Sequence, residues 1–584
     1  MPTLEWIGKD KVINHHLDVP YRVLERKYSY DEAGQHDEDN GSENMIIHGD
    51  NLDALKSLLP RYEGRVKCIY IDPPYNTGNE KWVYNDNVND PRILKWLGQV
   101  VGAEGEDLSR HDKWLCMMYP RLKLLQRLLS DDGVIFISID DVECANLKLI
   151  CDEIFGSNCF VSNISWQRTY SMRNDAKGIP AEVEHILVYS KKIDWQPQKL
   201  ERTETMDSKY KNPDNDPRGA WRNIVASAPD SVAHQGMVYA IQNPFTGEFA
   251  YPPQGRHWSL GQDQMLEAMQ KWCSYRLADL ADYSARARVC NVSEVEVRKD
   301  VLAIVLDEDI ATAREKAKYI IEHGPLPEFF FSRNGTGALS RKAYLEQMGG
   351  RPVTNLWPFE ETGHTDEASR LLKSMFGGTA VFDTPKPPRL IERILHVIND
   401  NDAVILDSFA GSGTTAHAVL NMNKADGGHR RFILVEMMDY ADNITAERVK
   451  RVIDGYGSGR QAVEGTGGSF SYYELGEPLM IGDVLNESVG VDKIREYVYF
   501  TDTKSRLPEA HEGEPYYLGL HVNNAYYFYY EREAVTTLNR EFLHTIQTRA
   551  DAYVIYADLC TLSEEELERY HITFKKIPRD ITKL

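Results

Sequence analysis

From residue 45 onward the chain alternates short apolar runs with longer amphipathic stretches, and the apolar runs end at turn or helix signals. That rhythm marks βαβ units and a mainly parallel sheet, whose strands are buried on both faces and read as continuous apolar segments. Strands are predicted at Met45 to His48, Val66 to Ile71, Val134 to Ile139, Ile186 to Tyr189, Val404 to Leu406 and Phe432 to Val435. Helices are predicted at Leu52 to Leu59, at Ala416 to Leu420 and from Lys113 to Leu129. In the last, Leu115, Met118, Leu122, Leu125 and Leu129 recur at spacings of three and four, and Gly133 lies beyond as a stop signal.

The rhythm breaks from about 195 to 380, where turn-rich polar stretches such as Asn212 to Gly219 and Tyr251 to Arg256 fit an inserted domain better than a continuing sheet. Another change follows the glycine-rich stretch Gly455 to Gly468. Beyond it, β-like segments at Ala525 to Tyr530, Ala552 to Tyr556 and Ile572 to Phe574 alternate with helical ones at Ala534 to Ile546 and Ser563 to Arg569. Residues 1–43 are polar, end in the acidic run Asp31 to Gly41, and read as a loop. Five segments result: an arm at 1–43, the sheet's first part at 44–194, an insertion at 195–380, the sheet's second part at 381–458 and a C-terminal domain at 459–584. At about 150 residues per domain, 584 residues correspond to three or four domains and exclude a single small module.

Acidic residues outnumber basic ones 89 to 67, a net charge of −22, which argues against nonspecific coating of nucleic acid. A sequence-reading protein remains compatible if the acidity is segregated, and the tail is the most acidic zone. The eight cysteines form no Cys-x-x-Cys pair and no Cys/His grouping at zinc spacing, so reduced thiols and no metal site are expected. With no apolar run long enough to cross a bilayer and no signal-peptide start, the expected location is the cytoplasm, away from membranes.

Two constellations carry chemistry. Asp72-Pro73-Pro74-Tyr75 directly follows the strand ending at Ile71. An adenine exocyclic amine is a poor nucleophile because its lone pair is delocalised into the ring. Catalysis therefore needs acceptors that draw on its N–H groups and favour a more tetrahedral nitrogen. Asp72 supplies a carboxylate and Pro73 a carbonyl, aimed by the restriction that Pro74 imposes on it. Tyr75 offers a flat face for an extruded base. A bare Asp-Pro-Pro-Tyr is also a good strand-ending turn.

The second constellation, Asp407-Ser408-Phe409-Ala410-Gly411-Ser412-Gly413-Thr414-Thr415, sits between a predicted strand and a predicted helix. Gly411 and Gly413 let backbone approach a ligand, and the helix N-terminus favours a carboxylate. Glu436 closes the next strand, where α/β nucleotide sites place an acid for ribose hydroxyls. A glycine-rich turn is the structural alternative. No Gly-Lys-Ser/Thr is present, which argues against a phosphate-gripping P-loop.

Together the two motifs resemble the β class of amino-group DNA methyltransferases, in which Asp-Pro-Pro-Tyr precedes Phe-x-Gly-x-Gly. The resemblance implies an α/β, Rossmann-like, mainly parallel methyltransferase sheet assembled from two chain segments, with an inserted target-recognition domain and a small α/β C-terminal domain. It implies S-adenosylmethionine as cofactor and a flipped adenine as substrate. Asp407, Phe409, Gly411, Gly413 and Thr414 then belong to the cofactor loop, Glu436 is the ribose acid, and Asp72, Pro73, Pro74 and Tyr75 form the catalytic motif. Ile47 to Asn51 and Phe382 to Pro387 match further family segments, making Asp50 a contact to the cofactor's adenine and Lys386 a holder of its methionine end. Asp50 is equally well read as a helix N-cap and Lys386 as a solvated charge.

Length and order resemble type III restriction-modification Mod subunits over roughly 42–455, with further texture at His571 to Ile581. In that family the insertion reads double-stranded DNA. Arg218, Trp221, Arg222, Arg256 and Trp258 have side chains suited to phosphates and bases, although each also fits an ordinary surface or core position. The acidic tail, with Tyr526 to Tyr530, fits sheet packing better than nucleic-acid stacking. The resemblance implies for this region a Mod homodimer contact or an interface with a helicase-nuclease restriction subunit. The expected activity is adenine-N6 methylation by direct transfer, without a cysteine nucleophile. Cytosine-N4 methylation and a noncatalytic DNA-recognition subunit share the architecture; Asp at position 72 leans toward adenine by resemblance. A protein-glutamine methyltransferase usually begins this motif with Asn and leaves the insertion unexplained.

Overall fold

The computed structural model describes residues 3–77, 91–102, 109–171, 178–457, 459–508 and 513–579. It divides into two compact units, Met1–Gln198 with Val353–Leu584, and Lys199–Pro352.

The first unit is built on one sheet. Its strands are β1 (Arg22–Asp31), β2 (Gly34–His36), β3 (Met45–His48), β4 (Val66–Ile71), β5 (Leu129–Ile139), β6 (Phe160–Gln167), β7 (Val183–Ser190), β8 (Leu356–Trp357), β9 (Val404–Asp407), β10 (Arg431–Glu436) and β11 (Ser469–Pro478). Their spatial order is β8-β6-β7-β5-β4-β9-β10-β3-β11-β1-β2. Across the centre, from β5 to β11, every pairing is parallel. β7 runs antiparallel to β5 and β6, and β1 is antiparallel to β11 and β2. Parallel central strands need cover on both faces. β4 and β10 are accordingly buried almost throughout, which is why both read as unbroken apolar runs.

The helices of this unit that bear on the site are α1 (Asn51–Tyr62), α2 (Arg110–Leu128), α3 (Asp141–Phe155), α4 (Pro388–Ile398), α5 (Thr414–Asp426) and α6 (Glu447–Asp454). α2 is capped by Ser109, whose hydroxyl accepts from Asp112 N, and it buries Trp114, Leu115, Met118, Leu122 and Leu125. It ends at Leu128 and passes straight into β5, so Gly133 lies inside a strand and stops no helix.

Three boundaries differ from the sequence reading. The arm is not a loop: residues 22–31 form β1, where Tyr28 stacks on Tyr472 with ring centroids 5.0 Å apart. Its alternating tyrosines and charges describe a strand near the sheet's edge, a polar pattern that composition mistakes for a loop. The insertion ends at Pro352 and not at 380. Residues 356–357 pair in parallel with Ser165 and Trp166, and the helix Thr365–Met375 buries Ala368, Leu372 and Met375. Finally, β11 belongs to the main sheet beside β3, so the sheet continues past residue 459. In the tail, Tyr517–His521, Asn524–Phe528, Ala552–Ala557 and Ile572–Lys576 form a four-stranded sheet in that order. The helix expected at 534–546 is instead a short strand, Thr537–Leu538, and one helical turn, Arg540–Leu543. Of the tail texture at 571–581, residues 580 and 581 lie outside the described residues.

The second unit has its own core, which contains Trp221, Trp258, Trp272, Tyr275 and Phe329 to Phe331. A four-stranded sheet (Phe249–Ala250, Ile241–Gln242, Ala303–Leu306, Tyr275–Ala278) and a three-stranded one (Phe329–Phe331, Leu339–Tyr344, Trp221–Val225) frame it. The fully buried ammonium of Lys342 lies 2.6 Å from Asp214 and 2.5 Å from Asp216, so that its charge is balanced where water cannot reach it. Trp258 is 3% exposed and donates Nε1–H to Tyr239 O at 2.8 Å. Trp258→Ala is therefore expected to cost about 3–5 kcal/mol in urea denaturation, whereas Arg222→Ala, at an exposed position, should stay within about 0.5 kcal/mol. A loss below about 1 kcal/mol for Trp258→Ala would contradict this assignment of the indole to the core.

Candidate active site

β4 and β9 are hydrogen-bonded neighbours, with Cys68 opposite Ile405 and Ile69 opposite Leu406. Because they run parallel, both chains leave the sheet at the same edge, where ligands of open α/β sheets gather. The turn after β4 carries Asp72 to Tyr75, and the turn after β9 carries Ser408 to Gly413. Both line one cleft, together with Arg168, Glu184, Phe382, Thr384, Pro385 and Lys386.

On one side of the cleft lies a buried carboxylate cluster. Lys386 Nζ donates to Asp72 Oδ2 at 2.7 Å and to the Tyr75 hydroxyl at 2.9 Å, and lies 3.5 Å from Glu184 Oε2. The Tyr75 hydroxyl is 2.6 Å from Asp72 Oδ1 and 3.2 Å from Glu184 Oε2. Arg168 Nη1 completes the group at 2.6 Å from Glu184 Oε1. Two acids thus face two bases, and the pairing decides their ionisation. Burial opposes the Lys386 charge, but Asp72 and Glu184 outweigh it and hold the ammonium's pKa above its usual value. Burial likewise pushes Glu184 up, yet Lys386 and Arg168 hold it below the ordinary carboxylate value. The Tyr75 phenol is driven well upward by burial and the adjacent carboxylates, so it stays protonated. Trp114 Nε1 donates to Pro74 O at 2.6 Å, tying the motif's backbone to α2.

On the other side the glycine loop leads into α5. Gly411 and Gly413 have φ of 52° and 80°. A Cβ on Gly413 would stand 3.0 Å from Thr445 O, so a side chain here meets both strain and crowding. Glu436, at the end of β10, accepts from Gly411 N at 2.8 Å and from Met438 N at 2.9 Å. Asp407 accepts from Thr415 Oγ1 at 2.5 Å and from Phe409 N at 3.1 Å. Burial pushes both carboxyls up to about 7.

The structure therefore brings Asp72, Pro73 and Tyr75 together with Lys386, Asp407, Phe409, Gly411 and Thr414 in one cleft, with Pro74, Gly413 and Glu436 immediately behind its wall. Asp50 is the N-cap of α1, its side chain accepting from Leu52 N, and it lies 3.3 Å from Arg121. Lys386 is not a solvated charge, being 9% exposed. Glu184 and Arg168 went unnoticed in the sequence. The available signal was a glutamate entering the strand Val183–Ser190 just before its apolar centre Ile186 to Tyr189, where an acid is affordable only if paired.

The nucleic-acid candidates all lie in the second unit. Trp221 and Trp258 are corrected to core residues, 8% and 3% exposed, with their indole N–H groups bonded to Asp214 and Tyr239 O. Arg256 is anchored to Ser227 through Oγ at 2.9 Å and O at 2.6 Å. Arg218 pairs with Glu328 at 3.0 Å and Arg222 lies 5.4 Å over the Tyr210 ring; both reach solvent.

The DNA methylase family that covers N6 and N4 enzymes matches this chain over residues 66–245 and 308–499. The type III restriction-modification enzyme StyLTI Mod subunit of Salmonella typhimurium is 32% identical over 77% of this chain and 62% of its own length. The EcoP15I Mod subunit of Escherichia coli is 28% identical over 78% of this chain and 66% of its own length. The type II methyltransferase M.KpnI of Klebsiella pneumoniae is 30% identical over 68% of this chain and 81% of its own length. The chain thus spans somewhat less than two thirds of the Mod relatives it matches.

Glu436 offers a pH test of the cleft. Its folded pKa of about 7 exceeds the ordinary 4.5, so its stability contribution is fully present below about pH 4.5 and is lost as pH rises through 7. Glu436→Gln removes that loss. Relative to wild type, the variant should gain about 2–3 kcal/mol between pH 5 and pH 8 in denaturant unfolding. A pH-independent difference would show that the carboxylate is not desolvated.

Proposed function

The chain belongs to the N6/N4 DNA methylase family, and from that premise we propose that it transfers the methyl group of S-adenosylmethionine to the exocyclic amine of a flipped adenine in double-stranded DNA. The observation that carries this reading is the adjacency of β4 and β9, which puts Asp72 and the Gly411 loop on facing walls of one cleft.

The cleft's own features fit the cofactor. Gly411 presents backbone without a side chain to the cleft, and α5 begins at Thr414 with its N–H groups at the cleft wall. Glu436 and Asp407 are buried carboxylates that no cation pairs with among the described residues, which suits them to accept from hydroxyl or amine donors of a ligand. Phe382 and Phe409 give the cleft apolar surface for a purine. When bound, S-adenosylmethionine supplies a methyl group already activated on a sulfonium, so a cysteine nucleophile has no role.

The chain contributes positioning and charge. Asp72 accepts hydrogen bonds from Tyr75 and from Lys386, which fix its carboxylate plane, and it lines the cleft as an acceptor suited to an amine N–H. Pro73 O is the second acceptor. Drawing on both N–H groups localises the nitrogen lone pair and raises its nucleophilicity. Lys386 Nζ bonds the Tyr75 hydroxyl at 2.9 Å and so pins the oxygen edge of the ring, leaving stacking against the base as the role of Tyr75 in this reading. In this reading Lys386 acts on Asp72, and its proximity to two carboxylates counts against a primary role in holding the cofactor's methionine end.

The Mod resemblance supports a modification subunit of a type III restriction-modification system, a homodimer that engages a restriction subunit. The second unit is the DNA-reading element, with Arg218 and Arg222 as its solvent-reaching candidates. No helix among the described residues is long and apolar enough to cross a membrane.

Incubating the purified chain with DNA and methyl-labelled cofactor tests the reaction. Wild type should incorporate label recovered as N6-methyladenine, and Asp72→Ala should lower incorporation by about two orders of magnitude or more. Equal incorporation by both proteins would refute the role of Asp72, and label recovered as N4-methylcytosine would reassign the base.

A further inference from the structure

The glycine loop is held from behind by the segment that follows β10. A π-helical turn, Ala441–Ala446, runs into α6, and such turns often mark functional positions. Thr445 Oγ1 donates to Gly411 O at 2.6 Å. One helical turn on, Arg448 is 1% exposed and reaches the same loop. Its Nη1 donates to Ser412 Oγ and to Thr414 Oγ1, both at 2.8 Å, and its Nη2 lies 3.2 Å from His417 Nδ1.

Every one of these acceptors is neutral. Burial, reinforced by the adjacent guanidinium, keeps the His417 imidazole unprotonated. Among the described residues no carboxylate pairs with Arg448, and its buried Nε has no hydrogen-bond partner. The loop's own carboxylate, Asp407, is bonded instead to Thr415 and Phe409 N. Elsewhere buried Lys9, Lys342, Lys386, Arg430 and Arg579 face acids, and buried Lys56 is held by the carbonyls of His16 and Leu17. A buried charge normally requires such compensation. Arg448 stands against a wall of the cleft without it.

The hydroxyls relay this charge. Ser412 Oγ and Thr414 Oγ1 accept from Arg448, so their own hydrogens point elsewhere. The Thr414 hydrogen goes to Lys386 O at 3.2 Å, while Ser412 Oγ, 3.4 Å from Thr414 Oγ1, lines the cleft with a hydrogen that can turn to Thr414 or to a ligand. The N-terminus of α5 adds partial positive charge at the same corner. A guanidinium without a counter-ion, a hydroxyl at the cleft wall and a helix N-terminus together favour an anion.

We propose that Arg448 is a positioning residue that makes this corner select the carboxylate at the amino-acid end of the cofactor, acting through Ser412 and the start of α5. The proposal rests on the reading of the cleft as an S-adenosylmethionine site. It moves the recognition of that carboxylate away from Lys386, whose charge is already matched by Asp72 and Glu184.

Calorimetric titration of the full chain with two thioether ligands tests it: S-adenosylhomocysteine, which keeps the carboxylate, and methylthioadenosine, which lacks the amino-acid end. Arg448→Met should weaken S-adenosylhomocysteine about thirtyfold while changing methylthioadenosine by less than about threefold. Ser412→Ala, a smaller change that keeps the guanidinium buried, should show the same selectivity at about fivefold. Equal losses for both ligands, or no loss, would overturn the proposal. Should Arg448→Met fail to fold in a thermal melt, the Ser412→Ala pair of titrations decides by the same criterion. Wild type that binds neither ligand would remove the cofactor reading itself, and the proposal with it. Wild type that binds both, with unselective variants, would sink the Arg448 role alone.

Discussion

The parallel pairing of β4 with β9 is the constraint on which the rest depends. Its register, Cys68 with Ile405 and Ile69 with Leu406, brings two sequence-distant turns out of the sheet side by side. A slip of one residue would exchange the faces of every side chain on the strand, and Asp72 and Asp407 would no longer leave the sheet edge in step. The register is held by apolar side chains on both faces and by β5 and β10 on the outer flanks of the pair. Chemistry at the cleft is thus anchored in the part of the molecule least able to shift.

The cleft's two halves treat charge in opposite ways. Around Asp72 the protein balances its own charges: Lys386 and Arg168 meet Asp72 and Glu184, and the cluster is neutral before any ligand arrives. Such a site can stay rigid, which suits acceptors that must be aimed at an amine. Around the glycine loop the charges are left open. Asp407 and Glu436 are buried acids pushed up to about 7, and Arg448 is a buried cation among neutral acceptors. These groups are costly to bury alone and gain most from a ligand that carries both donors and an anion. Self-compensation on one side and deferred compensation on the other give the cleft the polarity that the proposed function uses, with the base on one wall and a zwitterionic cofactor on the other.

The strands at the centre of the sheet were legible because burial on both faces leaves an unmistakable apolar run ending in turn chemistry, as at Ile71-Asp72-Pro73 and Leu406-Asp407-Ser408. The strand β1 was not, because its tyrosines and charges alternate as in any half-solvated segment, and only the pairing with β11 reveals their role. Trp221 and Trp258 were misassigned for a related reason: an aromatic ring beside an arginine has the same composition in a core as at a nucleic-acid surface, and only the bonded indole N–H distinguishes them. Glu184 and Arg448 carry little local pattern at all. Each acquires its meaning from partners distant in sequence, Lys386 for Glu184 and the Ser412 loop for Arg448.

The way the second unit is attached explains how a long insertion coexists with so strict a register. Leu200 and Arg351 form an antiparallel bridge with both N–H···O bonds at 2.9 Å, closing the insertion at its root. Gly350 permits that closure, since a Cβ there would collide with Leu200 O. On the sheet side of the root, Gln198 N donates to Val397 O at 2.9 Å, and Leu356 and Trp357 pair with β6. The chain therefore leaves and re-enters the first unit through elements that are tied down within that unit, and it bridges itself before the second core begins. Loop-closure entropy grows only slowly with length, so an insertion closed in this way adds little strain to what it interrupts. The sequence between Leu200 and Arg351 is then free to vary while β4 and β9 continue to meet in the same register.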